Sequence, residues 1–332
     1  MASKSINALL FGLIDYAGLF PPAKLDMKAA AESYARHRRG KHADSLARFI
    51  CPVSRLGEFA KAAALHLPNT DAVPADPKRA LKAKVVVPAG AALAESPALV
   101  QHLDPWTLSA LIDGPLESNL RAIAEFNAAH HKNHHSSAVV DTVEIKVTTP
   151  DAIDAALDIL PEEINPFFEI PHKGDVRTFA AALAGLGLSA KIRTGGTTPD
   201  MFPSVEQVAD FLLVMHDGNI PFKATAGLHH PIRGTFGLTY EDDSPEGTMH
   251  GFVNLFLAAT LVHDQGIDRA TVIHLLGETD AESFRFTDAH AEWRGMRITT
   301  EAIAAARENF ALCFGSCSMD DPIVDLAGLG WI

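Results

Sequence analysis

Eight short runs rich in β-branched and aromatic residues, each followed by a segment of helical period, constrain this chain more than any other feature. The runs are Arg48–Ser54, Lys84–Ala89, Thr107–Asp113, Thr142–Thr148, Pro166–Pro171, Ala190–Thr194, Pro221–Thr225 and Leu312–Ser316. Alternating strand and helix is the pattern of βαβ units, and a parallel sheet needs helices over its faces. Repeated eight times in 332 residues, it predicts an α/β protein whose whole length, 1–332, is one (β/α)8 TIM-type barrel domain. Helix punctuation agrees: Ser204 and Gln207 form a capping box ahead of Val208, Phe211 and Leu212, and Thr149-Pro150 opens another helix. Residues 1–40 carry Ile6, Leu9, Leu10, Leu13 and Ala17 at helical spacing and read as an N-terminal helical extension. Residues 231–310 read as a long insertion before the last strand, with a hydrophobic helix at Met249–Val262, a hairpin at Phe284–Ile298 and a helix from Thr300. An alternative register makes Leu9–Tyr16 the first strand.

Hydrophobic residues make up 47% of the chain, enough for a sizeable core, and the formal net charge is −13. That charge argues against partners recruited by overall electrostatics, so neither nucleic acid nor an anionic membrane is expected. The apolar stretch at Phe252–Val262 is interrupted by Asn254 and is too short to span a bilayer. Asp15 cuts off the only signal-like segment, and three cysteines form no paired framework; a cytoplasmic protein is expected. A homo-oligomer is compatible with all of this.

Four consecutive strands break the apolar rule of a barrel. They carry Glu144 and Lys146, Glu169, Lys191 and Arg193, and Lys223 with Thr225. Period-2 alternation puts these residues on one face and Val143, Ile145, Val147, Ile192 and Ala224 on the other. The apolar face suits outer helices, so the charged face is predicted to line the interior at the C-terminal mouth. Four cations against two carboxylates predict a small anionic substrate, phosphorylated or carboxylated. A structural ion-pair network is the plain alternative. Glycines and hydroxyls at the ends of these strands, Gly195, Gly196, Gly227, Gly315 and Ser316, are expected to bring backbone amides to that anion.

Lys191 is the central candidate. Beside Arg193 and Lys223 it is expected to titrate low enough to act as a neutral amine, to attack a carbonyl and form a Schiff base, with Glu169 or Glu144 as acid and base. Such chemistry requires no cofactor. In the alternative, Lys191 and Lys223 hold an anion as point charges. A second alternative is a divalent metal held by His229 or His230 with Glu144 or Glu169, as in a metal-dependent lyase or hydrolase. A third, from a different class, is a non-catalytic anion-binding protein. His130, His131, His134 and His135 precede a strand and are assigned to the far end of the barrel. Cys317 is not expected to be a nucleophile, and Cys51 and Cys313 are expected on adjoining strands.

The blocks Asp15-Tyr16-Ala17-Gly18-Leu19-Phe20-Pro21-Pro22-Ala23, Lys191-Ile192-Arg193-Thr194-Gly195-Gly196, Phe222–Pro231 and Phe314-Gly315-Ser316-Cys317-Ser318 resemble those of a family of uncharacterised, mostly bacterial proteins. That likeness spans nearly the whole chain and implies no activity. More loosely, Lys146, Glu169 and Lys191 on successive strands are similar to the inner lysines and glutamate of class I, Schiff-base aldolases. The Lys191 and Lys223 pair resembles the deoxyribose-phosphate aldolase arrangement, although Arg193-Thr194-Gly195-Gly196 departs from its serine-threonine-glycine turn. The resemblance implies an aldolase-like lyase or an isomerase.

Overall fold

The computed structural model describes residues 2–68, 104–132 and 135–332. Among them, eight parallel strands close a barrel. They are β1 (Ile14–Tyr16), β2 (Leu46–Pro52), β3 (Trp106–Leu111), β4 (Ala138–Lys146), β5 (Asn165–Glu169), β6 (Ser189–Arg193), β7 (Phe222–Thr225) and β8 (Ala311–Ser316). Each pairs with the next in chain order, and β8 closes onto β1 through Ile14 opposite Phe314. The (β/α)8 architecture is therefore as the alternation predicts, with one strand assigned differently. Lys84–Ala89 lies outside the described residues, and the barrel closes without it.

The strand that takes its place sits inside the stretch read as a helical extension. Helix α1 (Lys4–Leu10) does form there, burying Ile6, Leu9 and Leu10. Gly12 then adopts a left-handed φ of 56° and ends the helical path. Leu13 and Ala17, which extend the helical spacing in sequence, belong instead to the strand and its exit. Ile14 and Tyr16 face outwards, Tyr16 against Tyr34 of α2 (Met27–Arg38), while Asp15 faces in. Because β1 separates β2 from β8, Cys51 and Cys313 are not on adjoining strands.

The outward parity of the strands meets helices α3 (Leu56–Ala63), α4 (Leu116–Ala129), α5 (Asp151–Leu157), α6 (Val176–Leu183) and α7 (Val205–Asp217). Phe49, for example, contacts Phe59 and Tyr34, and all three rings are fully buried. Each such ring contributes roughly 1.5–3 kcal/mol by leaving water. The capping box of α7 is present: the Gln207 amide donates to Ser204 Oγ at 3.3 Å and the Ser204 amide to Gln207 Oε1 at 2.8 Å.

After β7 the chain forms an antiparallel pair, Gly234–Gly237 with Glu246–Met249. Then come α8 (Phe252–Gln265), α9 (Arg269–Gly277), a three-stranded sheet over 284–299 and α10 (Thr300–Asn309). Helix α8 is buried on every side from Phe252 to Val262, which explains its all-round apolar sequence. After β8 the chain ends in α11 (Asp320–Gly328). Among the described residues no helix is long and apolar enough to cross a membrane.

Candidate functional site

The inward parity of the strands builds one connected set of charges. Lys223 Nζ donates to Asp15 Oδ2 at 2.5 Å and to Glu144 Oε1 at 2.7 Å. Lys191 Nζ lies 2.6 Å from Glu144 Oε2 and 2.6 Å from Glu169 Oε2. The Ser109 hydroxyl donates to Glu144 Oε1 at 2.7 Å, and Asp15 accepts from the Arg48 amide at 2.9 Å and the Cys313 thiol at 3.3 Å. At the rim, Arg193 Nε stands 3.6 Å from Glu169 Oε1, and its side chain is 38% exposed.

This arrangement bridges the two lysines through a carboxylate. Lys191 and Lys223 are neighbours in register, but Glu144 reaches between them and binds both. Each ammonium thus meets two carboxylates rather than a bare cation, so the expected like-charge push on Lys191 is not what surrounds it. Burial works against ionisation of Glu144, but Lys191 and Lys223 outweigh it and hold its carboxyl far below the ordinary range. Burial likewise opposes ionisation of Glu169, and Lys191, then Arg193, reverse it to lower its pKa. Burial opposes the charge on Lys223, and Asp15 and Glu144 overcome it to raise its pKa. Three cations face three carboxylates, because Asp15 joins the set and Lys146 leaves it. The expected excess of positive charge is corrected to a balanced network.

Above this network, at the C-terminal ends of the strands, lies a cavity of about 170 Å³. Glu144, Lys191 and Arg193 supply its charges, and Phe20, Pro21, Ile50, Leu111 and Met201 give it apolar walls. Gly196, Thr197, Thr225, Ala226, His229, Gly315 and Cys317 complete the lining. Pockets that take drug-sized ligands measure roughly 300–1,000 Å³, so this one has room for a smaller molecule.

Of the residues singled out in sequence, Glu144, Glu169, Lys191, Arg193 and Lys223 are brought together. Lys223 lies beneath the cavity, fully buried. Lys146 is exposed and does not line the cavity, because it is the last residue of β4 and emerges from the barrel. Gly196 and Gly315 line the cavity, but Gly195 and Gly227 serve a different purpose. A Cβ on either would lie 2.9 Å from the other's Cα, so two glycines are what allow these loops to touch. The Thr194 hydroxyl fastens the same loops by donating to the Ala226 carbonyl at 2.7 Å. Ser316 is turned away, its hydroxyl donating to the Ser318 carbonyl at 2.6 Å.

The adjacent histidines lie side by side, ring centroids 6.4 Å apart, and reach Asp321 and Asp325, one turn apart on α11. His229 lines the cavity with Nδ1 3.4 Å from Asp321 Oδ2. His230 pairs with Asp325 at 2.5 Å and stacks on Phe236 with centroids 3.5 Å apart. Neither meets Glu144 or Glu169, whose oxygens are taken by lysines. Among the described residues no group of three or more His, Cys, Asp or Glu could hold a metal ion. Burial pushes the Cys317 thiol up to about 11, which disfavours a thiolate nucleophile.

Asp15 and Ser109 are the members that the sequence reading misses. For Asp15 the signal was present: a lone carboxylate in the apolar run Leu13-Ile14-Asp15-Tyr16-Ala17 breaks the same rule as Glu144 and Lys191. Comparisons with family models, with curated proteins and with solved structures give no match to this chain.

Proposed function

We propose that the protein is a barrel enzyme acting on a small phosphorylated or carboxylated carbonyl compound, an aldolase-like lyase or isomerase with Lys191 as its nucleophile. One observation carries this reading: Lys191 stands at the charged floor of the cavity between two carboxylates, each 2.6 Å away, with Arg193 at the rim. Arg193 is the cation of the set open to solvent and is suited to the substrate's anionic group.

Glu169 is better suited than Glu144 to take the proton from Lys191. Glu144 is almost fully buried and bound by Lys191, Lys223 and Ser109, whereas the hold of Arg193 on Glu169 is long. An anion that draws Arg193 away removes one of the charges keeping Glu169 acidic, so its basicity rises when substrate arrives. The freed amine attacks the carbonyl carbon, and Glu169 returns the proton as water leaves. Apolar walls exclude bulk water from the imine. The likeness to Schiff-base aldolases points the same way.

The test is borohydride reduction in the presence of small aldehydes, ketones and 2-oxo acids, followed by peptide mass spectrometry. A reduced adduct on Lys191, absent from Lys191→Ala, is the expected result. Compounds that raise the melting temperature yet leave no adduct would make the site an anion-binding one without this covalent step.

A further inference from the structure

The charged network accounts for five of the residues read from the sequence, but the cavity wall holds a titratable side chain that the lysine scheme does not use. His229 is 7% exposed and lines the cavity that contains Lys191 and Arg193. On one side of its ring, Nδ1 lies 3.4 Å from Asp321 Oδ2. Asp321 is itself fixed: Tyr240 donates its hydroxyl to the same Oδ2 at 2.6 Å, and the Asp321 amide donates to Ser318 Oγ at 3.0 Å. A carboxylate beside Nδ1 favours the tautomer with the proton there, which leaves Nε2 with a lone pair. His230, next in sequence, also has a carboxylate at Nδ1 but does not line this cavity. Its ring is stacked on Phe236 and paired with Asp325, which is a packing role.

We propose that His229 is a catalytic proton carrier of this cavity and that Asp321 is its positioning residue. The inference rests on the lysine reading in one respect, the origin of the acidic proton. Once Lys191 has become an iminium on the carbonyl carbon, a C–H bond at the adjacent carbon breaks. Its electron pair forms the enamine double bond and neutralises the iminium nitrogen, while the proton passes to Nε2 of His229. Reversal returns a proton to carbon, and exchange of the Nε2 proton with solvent in between replaces hydrogen by deuterium in D2O.

The experiment uses the full chain with pyruvate and with dihydroxyacetone. Exchange of carbon-bound hydrogen for deuterium is followed by NMR, and borohydride adducts by mass spectrometry. His229→Gln and His229→Asn should retain the adduct, which also shows that they fold, and should exchange about 100-fold more slowly or worse. Asp321→Asn should retain the adduct and slow exchange about 10-fold or more, because the imidazole loses the partner that sets its tautomer. A merely structural His229 would leave adduct formation and exchange moving together. Histidine variants that exchange at the wild-type rate while forming the adduct overturn this proposal and leave the lysine reading standing. Exchange that depends on His229 with no adduct in the unsubstituted protein does the reverse. A protein that forms no adduct and exchanges no hydrogen with either compound overturns both.

Discussion

At the scale of single residues, Asp15, Glu144 and Lys223 are one unit, and removing a member exposes the others. Lys223 is fully buried with a carboxylate on either side. Lys223→Met should therefore cost about 3–5 kcal/mol in denaturant unfolding, because Asp15 and Glu144 lose a cation inside the barrel. Asp15→Asn combined with Lys223→Met should recover part of that loss, since one of the stranded charges goes as well. A single Lys223→Met as stable as the unsubstituted protein would mean that the network does not hold the barrel together. The five residues Glu144, Glu169, Lys191, Arg193 and Lys223 were legible because a charge in mid-strand has no ordinary place in a barrel, and parity then fixes its direction. Their partners were less legible. Parity orders the residues of one strand but does not reveal that Glu144 reaches between Lys191 and Lys223, so the sequence suggests a like-charge pair where the folded chain has a bridged one. Lys146 has the right parity and the wrong height along the strand, a distinction that period 2 cannot make.

At the scale of elements, the charged strands were readable from their alternation, whereas β1 was legible only as the alternative register that makes Leu9–Tyr16 the first strand. It has only three residues, flanked by apolar positions that continue the spacing of α1, and Gly12 is the one local mark of the break. The antiparallel pair between β7 and α8 carries no such alternation, and one histidine shows how it is fastened. His250 is 2% exposed; its Nε2 donates to the Pro203 carbonyl at 2.8 Å, and Arg233 donates to its Nδ1 at 3.3 Å. This tethers the end of the antiparallel pair to the loop ahead of α7. Burial first, then Arg233, lowers the pKa of His250 to about 4, against an opposing pull from the Pro203 carbonyl. The unfolded chain, with an ordinary value of about 6.5, binds a proton over a range in which the folded protein does not. Its contribution is thus complete above pH 6.5 and is lost as the pH falls towards 4. Urea unfolding at pH 7.5 and pH 5 should show about 2 kcal/mol of acid destabilisation that is missing from His250→Gln. An identical pH dependence in the two proteins would show that His250 is not held neutral by the fold.

At the scale of the whole molecule, a chain of net charge −13 repels small anions in general. Affinity for one must come from a local arrangement, and that distinguishes binding at the cavity from a bulk salt effect. Screening relieves self-repulsion and raises stability for any salt, without regard to Arg193. A ligand that binds only the folded state adds RT ln(1 + [L]/Kd), about 2.7 kcal/mol when the ligand is at 100 times its Kd. The comparison should therefore be made at constant ionic strength, replacing chloride by phosphate, sulfate or small mono- and dicarboxylates. At least one of these is expected to raise the melting temperature by several degrees, with a saturating dependence on concentration. Arg193→Gln should abolish the saturating part and keep the screening part, because Arg193 is the half-exposed cation at the rim while Lys191 and Lys223 are buried and already paired. Saturation that survives in Arg193→Gln would relocate the anion to the loop amides beside Gly196 and Ala226. No saturating response to any of these anions would mean that the balanced network leaves no net pull on an anion, and that the substrate of this cavity is a neutral carbonyl compound.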